Sequence, residues 1–427
     1  MHRLASLGTT CAILTLTALV AFTSCSDDET VGAGGTTAAD AGVGGQGGEP
    51  PDATSSGDGG GGAGGSPIPI PLIGPRPVAP TPADAGTIVA APNGSGTACT
   101  LAEPCDLWEA IDQAQAGDVA FLRGGVYDIA DQVRFGGDGT ASEPIVFESY
   151  PGELAILDGS GVAVGESITI RLNGSFYVLR LIEIRNMPRQ GLLFPGTDNL
   201  VEGLHVHHNH LSGMQISSSY DQPYGAEASR NTIRDSVTHD NFDEGTSIPG
   251  FANGGNADGI SISNGTENRV EHCLVYLNSD DGIDTWRSTD SYVGYSISHS
   301  NGIADGNANG IKAGGLEPSA RTFVEHCIAY ANLANGIDYN SGAEVTFSFN
   351  TTFQNNRGFW LGDDTVAEYN IASGDVSGDV NSAGTQTDNS WQRDGTVEFV
   401  SEDPSSPDFL RPTPNGGFAD IGAYAGL

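Results

Sequence analysis

The chain has 427 residues, with 54 acidic side chains against 17 lysines and arginines, and a formal net charge of −37. A surface this acidic excludes nucleic acid as a partner, because gripping a phosphate backbone requires a basic face. The length allows one sizeable core with appended segments.

The first 25 residues read as an export signal. Arg3 supplies a weak charged region, and residues 12–22 form an apolar run too short to span a bilayer. Phe22-Thr-Ser-Cys25 is similar to a lipobox, with Phe22 in place of the usual aliphatic residue. Cys25 is therefore the expected lipid-attachment site, with simple cleavage and secretion as the alternative. Residues 26–95 are rich in Gly, Ala, Asp and Pro and cannot bury a core, so they are expected to form a disordered tether. Residues 67–82 add an extended polyproline stalk within it. The membrane is then met only through a lipid anchor, on the cell surface or outer membrane.

Folding is expected from residue 96 to 427. Cys99 and Cys105 are six residues apart around a turn, and export makes a disulfide between them plausible chemistry. Such a short loop adds roughly 2 kcal/mol on the chain-entropy account. Residues 106–116 have helical spacing of apolar residues and predict a short helix that caps the open end of a stack of strands.

From there the chain repeats. Asparagines at 186, 209, 241, 278, 301, 332 and 355 recur at about 23 residues, with some longer intervals. Eight residues before them stand Val178, Val201, Ile233, Val270, Val293, Val324 and Phe347. After them come a glycine and a short apolar strand, as in Gly259-Ile-Ser, Gly282-Ile-Asp, Gly310-Ile-Lys and Gly336-Ile-Asp. Short strands at this period, without helical segments between them, predict an all-β chain: a parallel β-helix, or solenoid, whose asparagines ladder from coil to coil. The longer intervals hold loops at 217–229, 243–256 and 313–320, expected to wall a cleft. Cys273 and Cys327 share a slot two coils apart, with Ser296 between, and read as core thiols. His207, His239, Tyr276, His299, Tyr330 and Phe353 also share one slot and read as a structural stack; nothing in the histidine pattern suggests zinc.

Equivalent residues of stacked coils lie about 4.8 Å apart. The residue after the first apolar position of each strand reads Leu193, Gln215, Ser261, Asp284, Lys312, Asp338, Trp360. The residue before each glycine reads Ser212, Asp258, Asp281, Asn309, Asn335. Asp258, Asp280, Asp281 and Asp284 should then converge, with Lys312, the chain's sole lysine, one coil on. Four carboxylates suit Ca²⁺, which takes six to eight oxygen ligands. A cation beside a lysine that can give up its proton is equipment for β-elimination on a uronic-acid polymer. The ion would lower the lysine pKa, and Asp338 on the other side would raise it.

Asn253-Gly-Gly-Asn-Ala-Asp-Gly-Ile260, Asn278-Ser-Asp-Asp-Gly-Ile-Asp284 and Gly306-Asn-Ala-Asn-Gly-Ile-Lys-Ala-Gly-Gly315 resemble the three motifs of family-9 polysaccharide lyases. Gly137-Asp-Gly-Thr-Ala-Ser-Glu-Pro-Ile145, Tyr150-Pro-Gly-Glu153 and Leu157-Asp-Gly-Ser-Gly161 extend the likeness weakly upstream. The resemblance implies a right-handed parallel β-helix pectate lyase, with Ca²⁺ on Asp258, Asp280, Asp281 and Asp284 and Lys312 as base. Ile283 and Ile311 depart from residues the family often carries, which touches the substrate more than the ion site. Trp286, Arg287, Asp338, Tyr339, Arg357 and Trp360 are candidates for the sugar-binding surface.

The expected activity is Ca²⁺-dependent cleavage of an acidic polysaccharide such as pectate, by a monomer. A C5-epimerase, a lyase on rhamnogalacturonan or alginate, and a non-catalytic surface glycan-binding protein or adhesin with a structural Ca²⁺ site are the alternatives. A hydrolase needs two carboxylates at catalytic separation and no lysine, which the pairing of Asp284 with Lys312 argues against.

Overall fold

The computed structural model describes residues 88–217, 228–243, 253–315 and 319–427. Three sheets build the domain, and each turn of the chain between its two ends contributes one strand to each. A 12-stranded sheet runs from strand Ile88–Ala90 to Thr385–Thr387. A 10-stranded sheet runs from Gly125–Asp128 to Ile371–Ser373, and a 9-stranded sheet from Val133–Phe135 to Arg357–Trp360. After the first two strands, which both lie in the 12-stranded sheet, successive strands fall in different sheets, and every pairing of named strands joins successive coils in parallel. This is the expected parallel β-helix.

The coils stack because each strand turns one side chain inward onto its equivalents. In the 9-stranded sheet Leu192, Met214, Ile260, Ile283, Ile311 and Ile337 follow one another in register, all fully buried. Val201, Ile233, Val270, Val293, Val324 and Phe347 do the same in the 12-stranded sheet. From Leu192–Phe194 to Ile311–Lys312 a glycine precedes each short strand of the 9-stranded sheet because the coils approach too closely there for a side chain. A Cβ on Gly282 would lie 1.9 Å from Ser298 Oγ and 2.5 Å from the Gly310 carbonyl oxygen.

The asparagine ladder is present from Asn209 through Asn241, Asn278, Asn301 and Asn332 to Asn355, each side-chain amide donating to the next Oδ1. It ends on Asp375, not on another asparagine. At its first coil the expectation was one residue off. His207 pairs in register with Arg185, so Met187 takes the ladder slot, and its backbone N–H donates to Asn209. Asn186 instead turns through φ 54° and its amide donates to Asp158. The same slip makes Leu179, not Val178, the partner of Val201. Two further ladders, which the period did not mark, are Asn199–Asn231–Asn268 and Asn350–Asn370–Asn389.

The aromatic stack holds. His207, His239, Tyr276, His299 and Tyr330 lie nearly parallel, with ring centroids 4.5–5.0 Å apart. Phe353 occupies the same slot beside Tyr330. Cys273 and Cys327 are buried free thiols.

The predicted helix spans Leu107–Gln113, N-capped by the Asp106 carboxylate. It buries Leu107, Ala110 and Ile111 against the first coil, whose Cys99 and Cys105 are disulfide-bonded. The domain starts earlier than residue 96: Ile88–Ala90, assigned to the tether, pairs with Val119–Leu122 as the first strand of the 12-stranded sheet. The export signal, Cys25, residues 67–82, most of the loops expected at 217–229 and 243–256, and residues 316–318 of the third lie outside the described residues. Among the described residues no helix is long and apolar enough to cross a membrane. The C-terminal segment, for which the sequence offered no period, folds back over the 10-stranded sheet. Phe409, Leu410 and Tyr424 pack there on Ile297, Ile328 and Phe353.

Candidate active site

The outward row of the 9-stranded sheet reads, by register, Arg134, Arg171, Leu193, Gln215, Ser261, Asp284, Lys312, Asp338, Trp360. The expected row is therefore present, with two arginines preceding it. They could have been found by extending the repeat upstream, but Val133–Phe135 and Ile170–Leu172 lack the preceding asparagine and glycine that mark later coils.

The residues before the glycines form a second polar row. The backbone N–H groups of Asp281, Asn309 and Asn335 donate in turn to the side chains of Asp258, Asp281 and Asn309. Asp258 opens the row with its own N–H on the Ser212 hydroxyl. Each carboxylate is thus fixed by the coil after it. Asp280, one residue earlier, accepts from the Asn307 N–H at 2.5 Å.

These constraints bring the four aspartates together. Asp258, Asp280 and Asp281 are buried, and each offers an oxygen within 4.8 Å of the others'. Lys312 Nζ lies 3.0 Å from Asp281 Oδ2 and 3.4 Å from Asp284 Oδ2. The lysine is only 9 % exposed and Asp281 not at all. Four carboxylates against one ammonium leave the cluster with excess negative charge in a poorly solvated place. Burial first, and then mutual repulsion, pushes Asp258 and Asp280 well above the usual carboxylate range. Burial likewise pushes Asp284 up to about 7, against the pull of Lys312. For Lys312 burial acts downward, but the surrounding carboxylates outweigh it and hold the ammonium above its ordinary value.

The donor set fits a hard divalent cation. Every candidate ligand is a carboxylate oxygen, and Asp284 Oδ1 is buried without a hydrogen-bond partner. Asp281 Oδ2 accepts no hydrogen bond and faces only the ammonium of Lys312.

Asp338 acts on Lys312 through charge and not through contact. It is beside Lys312 in register, yet its oxygens accept from Asn335 Nδ2 and the Asn340 N–H, both at 2.7 Å. The lysine reaches back to the preceding coil instead. The remaining candidates divide. Trp360 is exposed beneath the Arg357 guanidinium, 4.5 Å from its ring centroid. Trp286 is half-buried with Arg287 over its ring at 5.3 Å, and the Gly315 backbone packs against its edge. Tyr339 packs on the core and against Gly362, so its ring is committed to packing.

The family profile described as the Pel9A-like, right-handed β-helix region matches residues 88–370. The chain belongs to this family. It is 28 % identical over 357 residues to pectate lyase L of Paenibacillus polymyxa, covering 78 % of each chain. It is also 28 % identical to pectate lyase L of Dickeya chrysanthemi, covering 74 % of this chain and 78 % of that one. Among solved structures, pectate lyase Pel9A superposes with a TM-score of 0.63 at 23 % identity, over 78 % of this chain and 90 % of that one. A rhamnogalacturonan lyase superposes at 0.68 and 21 % identity, over 80 % and 100 %. These likenesses carry the fold, a right-handed parallel β-helix. The expected membership of the family-9 lyases is met, and with it the polysaccharide-lyase class of enzyme.

Proposed function

We propose that this protein cleaves a uronic-acid polysaccharide, pectate first among them, by β-elimination, with Lys312 as the base. The observation that carries the reading is the packing of the sole lysine against Asp281 and Asp284 on the outward face of the helix. Asp258, Asp280, Asp281 and Asp284 are the residues that would hold Ca²⁺. When bound, the ion supplies positive charge for the C6 carboxylate and for the charge that develops as the C5 proton leaves.

The chain's own groups do the rest. The two polar rows fix the carboxylates, so nothing has to reorganise when a sugar arrives. Lys312 Nζ takes the C5 proton as a free amine, a state it can reach only when a bound cation offsets the carboxylate charge that otherwise holds it as an ammonium. The electron pair left behind becomes the C4–C5 double bond, the C4–O bond breaks, and the departing glycosidic oxygen takes a proton from water. Trp360 with Arg357, and Trp286 with Arg287, offer flat and cationic surfaces for neighbouring sugars. Arg134 and Arg171 extend the same outward row with positive charge toward its N-terminal end.

We also place the chain outside the cytoplasm, exported by residues 1–25 and held by a lipid on Cys25. The Cys99–Cys105 disulfide supports export, since such bonds persist in oxidising compartments. The deciding experiment assays the protein with Ca²⁺ on polygalacturonate, rhamnogalacturonan and alginate, reading ultraviolet absorbance of unsaturated uronides. Chelator-sensitive absorbance on one of them supports the reading. Uronide inversion at C5 without chain scission would make the protein an epimerase. Silence on all three, with Ca²⁺ still raising the melting temperature, would make the acidic centre a structural staple.

A further inference from the structure

A second group of ligand-bearing side chains lies on a different sheet. Strands Ile182–Arg185, His205–His207 and Val237–His239 are neighbours in the 10-stranded sheet. Register puts His205 beside Glu183, and His207 between Arg185 and His239. His208 and Asp240 come directly after their strands, at φ 55° and 52°. Two triads result, Glu183–His205–His207 and His208–His239–Asp240, each with donor atoms within 4.8 Å of one another.

The aromatic ladder accounts for His207 and His239, which stack ring on ring with Tyr276. It does not account for His205, His208 or Asp240, which lie outside the ladder slot yet converge on it. His205 Nε2 is 2.7 Å from His239 Nε2. On its other side His239 Nδ1 is 2.5 Å from Asp240 Oδ2. Asp240 can only accept, so it fixes the proton on Nδ1 and turns the Nε2 lone pair of His239 toward His205. A carboxylate holding the far nitrogen of an imidazole is the usual second contact of a metal-bound histidine.

We propose that His205 and His239 bind one late transition-metal ion of the Zn²⁺ class through their Nε2 atoms, with Asp240 orienting His239 and water completing the shell. Nitrogen donors separate this site from the oxygen-only acidic centre and favour a softer metal. Zn–N bonds of about 2.0–2.1 Å in a tetrahedral shell ask the two Nε2 atoms to part to about 3.3 Å, a small ring rotation. Glu183 is not counted as a ligand, because its Oε1 already meets Arg185 at 2.9 Å. The ion would clamp two successive coils through the neighbouring strands His205–His207 and Val237–His239.

The test uses the full chain, stripped with chelator and then supplied with Ca²⁺ so that the acidic centre is satisfied. Zn²⁺ and Co²⁺ are titrated with calorimetry, melting temperature and, for Co²⁺, the visible spectrum as readouts. The expected result is one Zn²⁺ per chain at micromolar concentration, a raised melting temperature, and a Co²⁺ spectrum of nitrogen-bound, tetrahedral character. His205→Gln with His239→Gln should abolish all three, and Asp240→Asn should weaken binding about 10-fold or more. His299→Gln, which alters the ladder two coils from His239, and Asp258→Asn, in the acidic centre, should leave Zn²⁺ binding unchanged. If the double variant fails to fold, Asp240→Asn against His299→Gln decides. Absence of saturable Zn²⁺ binding, or equal losses in Asp240→Asn and His299→Gln, would overturn the proposal.

Discussion

Lys312 Nζ and Asp281 Oδ2 meet at 3.0 Å although the two residues stand in different outward rows, on different coils. The contact is possible because Asp338, the lysine's register partner, spends both carboxylate oxygens on Asn335 and Asn340. The lysine therefore leans toward the aspartates, where it is their only cationic neighbour among the described residues. In metal-free protein this pairing has a structural consequence. Lys312→Ala leaves buried carboxylates without a counter-charge, and breaking such a pair costs about 3–5 kcal/mol. The melting temperature of Lys312→Ala should fall well below wild type in chelator and recover most of the difference in Ca²⁺. An equal deficit under both conditions would mean that the lysine and the ion do not share these oxygens.

The aspartates should respond in the opposite sense. Asp281→Asn and Asp284→Asn each remove one buried charge from a cluster with negative charge in excess. Each variant should be at least as stable as wild type in chelator and gain less from Ca²⁺, with the ion's affinity falling at least 10-fold in calorimetry. Asp338→Asn, whose carboxylate oxygens are taken up by Asn335 and Asn340, serves as the control and should keep wild-type Ca²⁺ affinity.

The ladder register can be tested at two asparagines. Asn301 accepts from both the backbone and the side-chain N–H of Asn278, and donates to Asn332. Asn301→Ala leaves buried donors unpaired and should cost about 1–3 kcal/mol for each. Asn186, off the ladder and at positive φ, should tolerate glycine at about 0.5 kcal/mol or less. Urea midpoints compare the two, and similar losses would place Asn186 back in the ladder.

Asp375 should give the fold a pH dependence. It accepts from Asn355 and Thr352 at the end of the ladder, and burial pushes its carboxyl up to about 7 in spite of those bonds. A folded pKa above the unfolded one means that the folded chain holds the proton more tightly. The associated stability is complete below pH about 4 and is lost as the pH rises through about 7. Asp375→Asn continues the ladder without that loss. It should match wild type near pH 4 and exceed it by about 1–2 kcal/mol at pH 8, less than the full shift implies because the side chain is partly solvated. A gain independent of pH would contradict the assignment.

Much of this was legible because a stack of coils turns sequence period into spatial adjacency. Once Gly282 and Gly310 are aligned, Asp284 and Lys312 must be neighbours, and they are. What the period could not give was side-chain direction. Nothing in the sequence says that Asn335 and Asn340 occupy Asp338 and leave Lys312 to the preceding coil. Nor does it register the single-residue slip at Asn186, because Asn186 and Val178 mimic the pattern one position early. The convergence of His205 on His239 was hidden for a related reason. His205 lies two residues before the ladder slot, so the slot's period passes over it. The C-terminal segment carries no period at all, and its place on the 10-stranded sheet is set by apolar contacts of Phe409 and Tyr424.

In the proposed reaction Lys312 removes the proton. The most direct measurement tracks unsaturated product by ultraviolet absorbance on the uronan that wild type cleaves, with Ca²⁺ at saturation, comparing wild type with Lys312→Ala. Melting temperature and Ca²⁺ affinity are checked on the same samples. A positioned general base contributes about 10²–10⁴-fold, so kcat should fall by that factor while both samples still bind Ca²⁺. A folded, Ca²⁺-binding Lys312→Ala protein that forms product at the wild-type rate would contradict the account.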